Sequence, residues 1–378
     1  MRTLLKVSLA VTFPGLLAAQ FPGLTLPPSG NNQKASVTQF IGPVKVTIDY
    51  SSPAVHGPGG KDRRGHIWGE LVPYGMTDLG FRGGKLSPWR GGANENTVFT
   101  VSDPVAIEGQ MLPAGSYGLH FIAGPDEWTV IFSKDSQAWG SFFYDESHDA
   151  LRVKVKPAKH EYQEWLTYDF TTRRPEEATA EMQWEELAVP FHIKVDNIQD
   201  VYVTKLHQEL TSGSGFNPEA YDAAAQYCVQ ANTHLEDALA WADLAINMPF
   251  AGRTDFDTLS TKAQVLLKMG RDADADALMQ VAVHHATATA AGIHQYGRQL
   301  LAAKKNQEAL AIFKLNAERN GDAWPVNVGL ARGYMAVGDY KMALEYAKKA
   351  VAQAPDPVNK KNLESMAKTL EEGKPYDN

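Results

Sequence analysis

The segment Trp89-Arg90-Gly91-Gly92-Ala93-Asn94-Glu95 brings four ligand-holding side-chain types into one short stretch. Trp89 offers a flat apolar platform, Arg90 a planar fork of donors, Asn94 a donor–acceptor amide and Glu95 a carboxylate. That kit suits a sugar, a peptide or a carboxylate ligand. A structural assignment competes with it. Trp89 would fill the core, while Arg90 and Asn94 tie down a tight turn at Gly91-Gly92 by bonding backbone carbonyls. His120, in mid-strand beside Phe121, completes the set of candidate ligand-binding residues.

Other chemistry is weaker. The chain has eleven histidines, and His56 and His66 flank a Gly- and Arg-rich loop (GPGGKDRRG). The closely spaced His-x-His pattern of a cupin-like metal site is absent, so no metal ligand is assigned. His284-His285 occupies adjacent helical positions, which face apart. Asp145, Glu146 and Asp149 beside His148 hold the paired carboxylates that glycoside hydrolysis needs, but their spacing fits a turn or a solvated edge better. No nucleophile elbow, Walker loop or dinucleotide fingerprint stands in a strand–turn–helix context. Neither a catalytic residue nor a cofactor is expected.

The whole chain bounds these readings. Its 378 residues predict two or three domains, and 44% hydrophobic with 21% charged residues is globular composition. Thirty-six basic against 44 acidic residues give a net charge of −8, which argues against a nucleic-acid partner. The single cysteine, Cys228, excludes a disulfide framework and reads as a buried thiol in an Ala-rich helix. Residues 1–19 read as a secretory signal: Arg2 and Lys6, an apolar stretch from Val7 to Leu17, then Ala18-Ala19 before a cut at Gln20. Gln20 stands where a lipoprotein needs Cys, so no lipid anchor is expected. No other window is apolar enough to span a bilayer. The expected location is periplasmic or secreted.

Residues 20–33 (QFPGLTLPPSGNNQ) form an extended leader. From 34 to 200 the hydrophobic period is two, with strands expected at Ala35–Ile41, Val44–Tyr50, His66–Val72, Asn96–Ser102, Trp128–Phe132, Leu151–Val155, Glu164–Phe170, Thr179–Glu186 and Val189–Asp196. Many short strands without intervening helices predict an antiparallel β-sandwich of jelly-roll type. Six of the eight tryptophans fall here (Trp68, Trp89, Trp128, Trp139, Trp165, Trp184), most of them as core. From 201 to 372 helical spacing takes over. Ala275, Ala309 and Ala343 stand 34 residues apart and Ala238 lies 37 before the first. Small or apolar residues recur four and seven positions later, although Asn316 breaks the pattern. Gly270 and Gly338 each precede their alanines by five. The last unit is clearest (Leu330, Ala331, Tyr334, Gly338, Tyr340, Ala343, Pro355) and resembles the tetratricopeptide repeat, in which small residues let antiparallel helices pack closely. Residues 373–378 read as a frayed tail.

The first half carries an ordered set of motifs: KASVTQ (34–39), VTIDYSSPAV (46–55), GELVPYG (69–75), WRGGANENT (89–97), LPAGSYGL (112–119), EWTVIFSK (127–134), WGSFFYDESHDALRVKV (139–155) and VPFHIKV (189–195). Together they resemble a bacterial exported family catalogued as domain of unknown function 2911. The resemblance implies a β-sandwich, often joined to tetratricopeptide-like repeats, with no established activity. This chain departs from that pattern by inserting MTDLGFRGGKLSP (76–88), which is expected to reshape any site beside Trp89. The resulting expectation is a multidomain β + α protein acting as a scaffold for protein partners, with a soluble accessory subunit of a membrane-associated complex as one form of that role. A small-ligand module using the WRGGANE loop is the alternative, and an envelope-polymer hydrolase the third reading.

Overall fold

The computed structural model describes residues 32–81 and 83–376. Residues 1–31, on which the expected signal and most of the expected leader fall, Arg82 and the last two residues lie outside the described residues. The chain divides into two compact units between Ile198 and Gln199.

In the first unit β1 (Gln33–Ile41), β2 (Val44–Ser52), β5 (Thr97–Val101), β8 (Gly115–Ile122), β9 (Trp128–Ser133) and β10 (Asp149–Val155) form a six-stranded sheet in that order. A four-stranded sheet has the order β11 (Ala158–Arg173), β12 (Glu177–Lys194), β6 (Val105–Ile107), β7 (Gln110–Leu112). All pairings of these strands are antiparallel. β2 shows why the pattern folds this way. Val44, Val46 and Ile48 are fully buried while Lys45, Thr47 and Asp49 are not, so one face of the pleat is core. The two sheets meet through rings: Tyr50 on β2 lies 4.9 Å from Tyr168 on β11, and Phe132 on β9 lies 5.9 Å from Phe191 on β12. The antiparallel sandwich is as expected.

Three details differ from the sequence reading. His66–Val72 is not a strand but a tight turn closed by Val72 N–H to the Ile67 carbonyl, 2.8 Å. Gly65 (φ 71°) and Gly69 (φ 86°) take left-handed backbone there, which no pleated strand accommodates. The two strands expected over 179–196 are one strand, β12, irregular near Glu185, whose φ is +57°. The insertion forms a hairpin, β3 (Thr77–Asp78) with β4 (Leu86–Ser87).

The second unit is α1 (Ile198–Leu210), α2 (Pro218–Ala231), α3 (Leu235–Asn247), α4 (Phe256–Lys268), α5 (Asp272–His284), α6 (Ala290–Ala302), α7 (Asn306–Asn320), α8 (Trp324–Ala336), α9 (Tyr340–Ala352) and α10 (Pro357–Glu371). α4, α6 and α8 start 34 residues apart, and so do α5, α7 and α9. These are tetratricopeptide-like helix pairs. The four marker alanines, Ala238, Ala275, Ala309 and Ala343, sit on α3, α5, α7 and α9 and are all buried. Asn316 is fully buried too, and its Nδ2 donates to the Ala290 carbonyl at 2.9 Å. A polar side chain is tolerated in place of a small one there because its amide shares the Ala290 carbonyl in the first turn of α6. The described part of the tail folds back on the helices: Gly373 and Lys374 N–H donate to the Leu370 and Thr369 carbonyls, and Tyr376 N–H to Met335 Sδ (3.4 Å).

Gly270 (φ 75°) and Gly338 (φ 85°) end α4 and α8 in the left-handed conformation. The equivalent residue after α6 is Lys304, at φ 60°, with Lys305 N–H bonded to the Leu300 carbonyl just as Asp339 N–H bonds Tyr334. Lys304 is exposed, so its side chain offers little to offset the strain of this backbone. Lys304→Gly is expected to stabilise the helical unit by about 1 kcal/mol. Urea melts showing a lower midpoint for the variant would refute this.

Candidate functional site

Trp89 joins the large sheet by two backbone hydrogen bonds with Phe121, at 2.8 and 2.7 Å. This places its indole in a cluster of four tryptophans. Ring centroids lie 6.0 Å from Trp68, 6.3 Å from Trp128 and 6.2 Å from Trp184, the last nearly parallel. One side of the cluster opens on a cavity of about 440 Å³, walled by Trp89 and Trp184. Trp89 is therefore at once core and wall. The remaining two tryptophans of the sandwich are surface residues, Trp139 at 54% and Trp165 at 42% exposure.

Arg90 also lines the cavity. Its Nη1 donates to the Asn94 carbonyl, and its guanidinium lies 4.7 Å over the Phe142 ring and against Gly140. Burial lowers its pKa, as expected for a cation removed from water. No described carboxylate is within ion-pair distance of it. The turn behind Arg90 needs glycine: Gly91 has φ 62°, and a Cβ there would sit 2.6 Å from the Tyr168 hydroxyl. That hydroxyl donates to the Gly91 carbonyl at 2.7 Å.

Asn94 and Glu95 are not brought to the cavity. Asn94 takes φ +58° and serves the loop, its carbonyl accepting from Arg90 and its Oδ1 from Asn32 at 3.3 Å. Glu95 lies on a separate depression beside β1, paired with Lys34 at 3.0 Å. Its own backbone N–H, and then Lys34, hold its carboxyl below the usual range. His120 is buried one layer behind the wall. Its Nδ1 lies 2.9 Å from the hydroxyl of Ser141, and Ser141 lines the cavity.

The cavity has further contributors: Arg63, not singled out from the sequence, His56 of the same 53–66 loop, Trp184 of β12, one of the tryptophans read mostly as core, and, as the sequence reading expected beside Trp89, the insertion, through Thr77, Leu79 and Ser87. The insertion thus builds part of the wall beside Trp89. Phe81 at its tip packs 4.7 Å from Phe142, the ring that carries Arg90. His56 is paired with Glu164 (2.9 Å) and His66 with Glu70 (3.0 Å), so the histidines are each engaged separately. Among the described residues no group of three or more His, Cys, Asp or Glu could hold a metal ion.

The acidic cluster is likewise engaged. Asp149 binds Arg152 and accepts from the Tyr144 hydroxyl at 2.7 Å, and Asp145 caps the turn at Ser147. His148 bonds Asp135 at 2.7 Å. In the helical unit Cys228 is buried and its thiol is pushed up to about 11 by that burial, which leaves it inert as a nucleophile.

Residues 32–193 match the family described as "Protein of unknown function (DUF2911)". The helical half is similar to solved tetratricopeptide structures. YrrB, described as a TPR protein with an unusual peptide-binding site, is 20% identical over 44% of this chain and 83% of its own, with a TM-score of 0.31. TTC0263, a thermophilic TPR protein in Thermus thermophilus, is 18% identical over 46% of this chain and 90% of its own, TM-score 0.33. The C-terminal part of a TPR repeat-containing protein from Cytophaga hutchinsonii is 15% identical over 45% and 65%, TM-score 0.37. No curated protein matches the chain. The repeat assignment rests on the helix spacing itself.

Proposed function

We propose that the chain is an exported, non-enzymatic scaffold that holds protein partners through its helical repeats, in the periplasm or outside the cell. The observation that carries this reading is the run of helix pairs at a 34-residue period, an architecture whose surface serves binding rather than chemistry. Exposed apolar side chains on three successive helices support it: Leu244 on α3, Leu267 on α4 and Val281 on α5, at 42, 55 and 57% exposure. The acids that could have worked as a catalytic pair are committed to Arg152, Tyr144 and Ser147. A membrane-associated complex is one setting for such a subunit; among the described residues no helix is long and apolar enough to cross a membrane.

The test is affinity capture from native envelope extract with wild type and a Leu267→Glu/Val281→Arg variant. Wild type should return the same partner from independent preparations, and the variant should lose it at an unchanged melting temperature. No reproducible partner would sink the scaffold reading. Exported protein should begin at Gln20 by mass spectrometry; an uncleaved chain retained in the cytoplasm would sink the location.

A second reading is favoured by the cavity. Its volume of about 440 Å³ and its tryptophan wall suit a small ligand bound by the sandwich.

A further inference from the structure

The cavity has an electrostatic bias opposite to that of the chain. The protein carries a net charge of −8, yet no described Asp or Glu lines this pocket, while Arg63, Arg90 and His56 do. His56 already has Glu164. Neither arginine has an ion pair with a described carboxylate. The Arg63 guanidinium lies against Gly57, itself a wall residue. Arg90 satisfies one donor with the Asn94 carbonyl and rests on Phe142. A half-buried guanidinium is costly unless an anion answers it, and its planar fork matches a carboxylate through two parallel hydrogen bonds. Beside this fork stand Trp89 and Trp184, nearly parallel, with Pro88 and Leu79. An apolar body attached to the carboxylate would rest there.

We infer that the cavity binds a small organic acid, its carboxylate held by Arg90 and its apolar or aromatic body lying along the tryptophan wall. The assignment rests on the ligand reading of this cavity and names its ligand class. A neutral sugar would leave the guanidinium unanswered. A phosphate without an apolar body would leave the tryptophan wall uncovered. The inserted hairpin narrows the site through Thr77 and Leu79, which makes it a determinant of ligand size.

The test uses the full exported chain with a set of aromatic and aliphatic monocarboxylic acids, each paired with its neutral amide, measured by titration calorimetry. At least one acid should bind about ten- to a hundredfold more tightly than its amide, the worth of a charge-assisted pair. Arg90→Gln should erase that difference while leaving amide binding, and Arg90→Lys should restore it in part. Melting of the unliganded variants separates loss of the anchor from loss of the loop. Thr77→Trp, which fills the cavity without touching the loop, should abolish binding of acids and amides together. If acid and amide bind alike and both are lost in Thr77→Trp, the cavity is a ligand site and the carboxylate assignment is overturned. If no acid exceeds its amide, or acid binding survives Thr77→Trp, the proposal fails, and in the latter case the ligand reading of the cavity fails with it.

Discussion

Phe313→Ala should destabilise the helical unit by about 3–5 kcal/mol, the usual cost of emptying a fully buried phenylalanine site. Phe313 is 0% exposed and occupies the position where the other repeats place Ala242, Met279 and Ala347. Its bulk is accommodated by glycines on the facing helices. A Cβ at Gly297 would come within 2.3 Å of the ring, at Gly329 within 2.5 Å and at Gly333 within 2.8 Å. Gly297→Ala alone should therefore destabilise by about 1–3 kcal/mol through overpacking, even though alanine is the better helix former by about 1 kcal/mol. In the Phe313→Ala background the clash is gone, and the same substitution should become stabilising. Urea unfolding followed by helical circular dichroism on both single variants and the double gives the cycle. A Gly297→Ala cost that is the same in both backgrounds would show that the ring is not why the glycine is there.

The same pair explains what could be read beforehand. The alanine spacing was legible because each marker sits where two helices touch, and close approach admits few side chains. Asn316 was not legible as part of the pattern, and Phe313 fitted it without showing how a ring is accommodated, since the two are compensated by the Ala290 carbonyl and by Gly297 and Gly329, all outside their own helix. Lys304 shows the converse, a left-handed cap kept without glycine. In the sandwich, alternation found the long strands. It misplaced 66–72, where the apolar residues come as two adjacent pairs, Ile67-Trp68 and Leu71-Val72, and Gly65 and Gly69 turn the chain. At the site, side-chain type pointed to Trp89 and Arg90, which line the cavity. Sequence adjacency then misled for Glu95, because Asn94 at φ +58° redirects the chain before it. Trp184 and Arg63 reach the cavity only through the packing of distant strands and loops, which spacing along one chain does not encode.

His120 should make the sandwich acid-sensitive in a window set by its burial. The ring is 2% exposed, held by Ser141 and set edge-on to Tyr144 at 5.5 Å. Burial first, and then the nearby Arg90 cation, lower its pKa to about 4, with Asp135 opposing them weakly. In the unfolded chain the imidazole takes up its proton near the ordinary value of 6.5. The folded state thus binds fewer protons than the unfolded state between these two values, so stability is present in full above pH 6.5 and falls as pH drops toward 4. Below that the loss is complete and the curve flattens. The size is about 3 kcal/mol. His120→Gln keeps a polar side chain against Ser141 and cannot titrate, so its stability should fall less over the window. His294 in the helical unit is also lowered to about 4 by burial, but it is common to both proteins and cancels in their difference. Denaturant melts of wild type and variant at pH 7 and pH 4.5, read by tryptophan fluorescence, should converge by most of that amount. Parallel losses in the two proteins would mean that the fold does not shift the imidazole, which would then take up its proton near 6.5 in the folded and the unfolded chain alike.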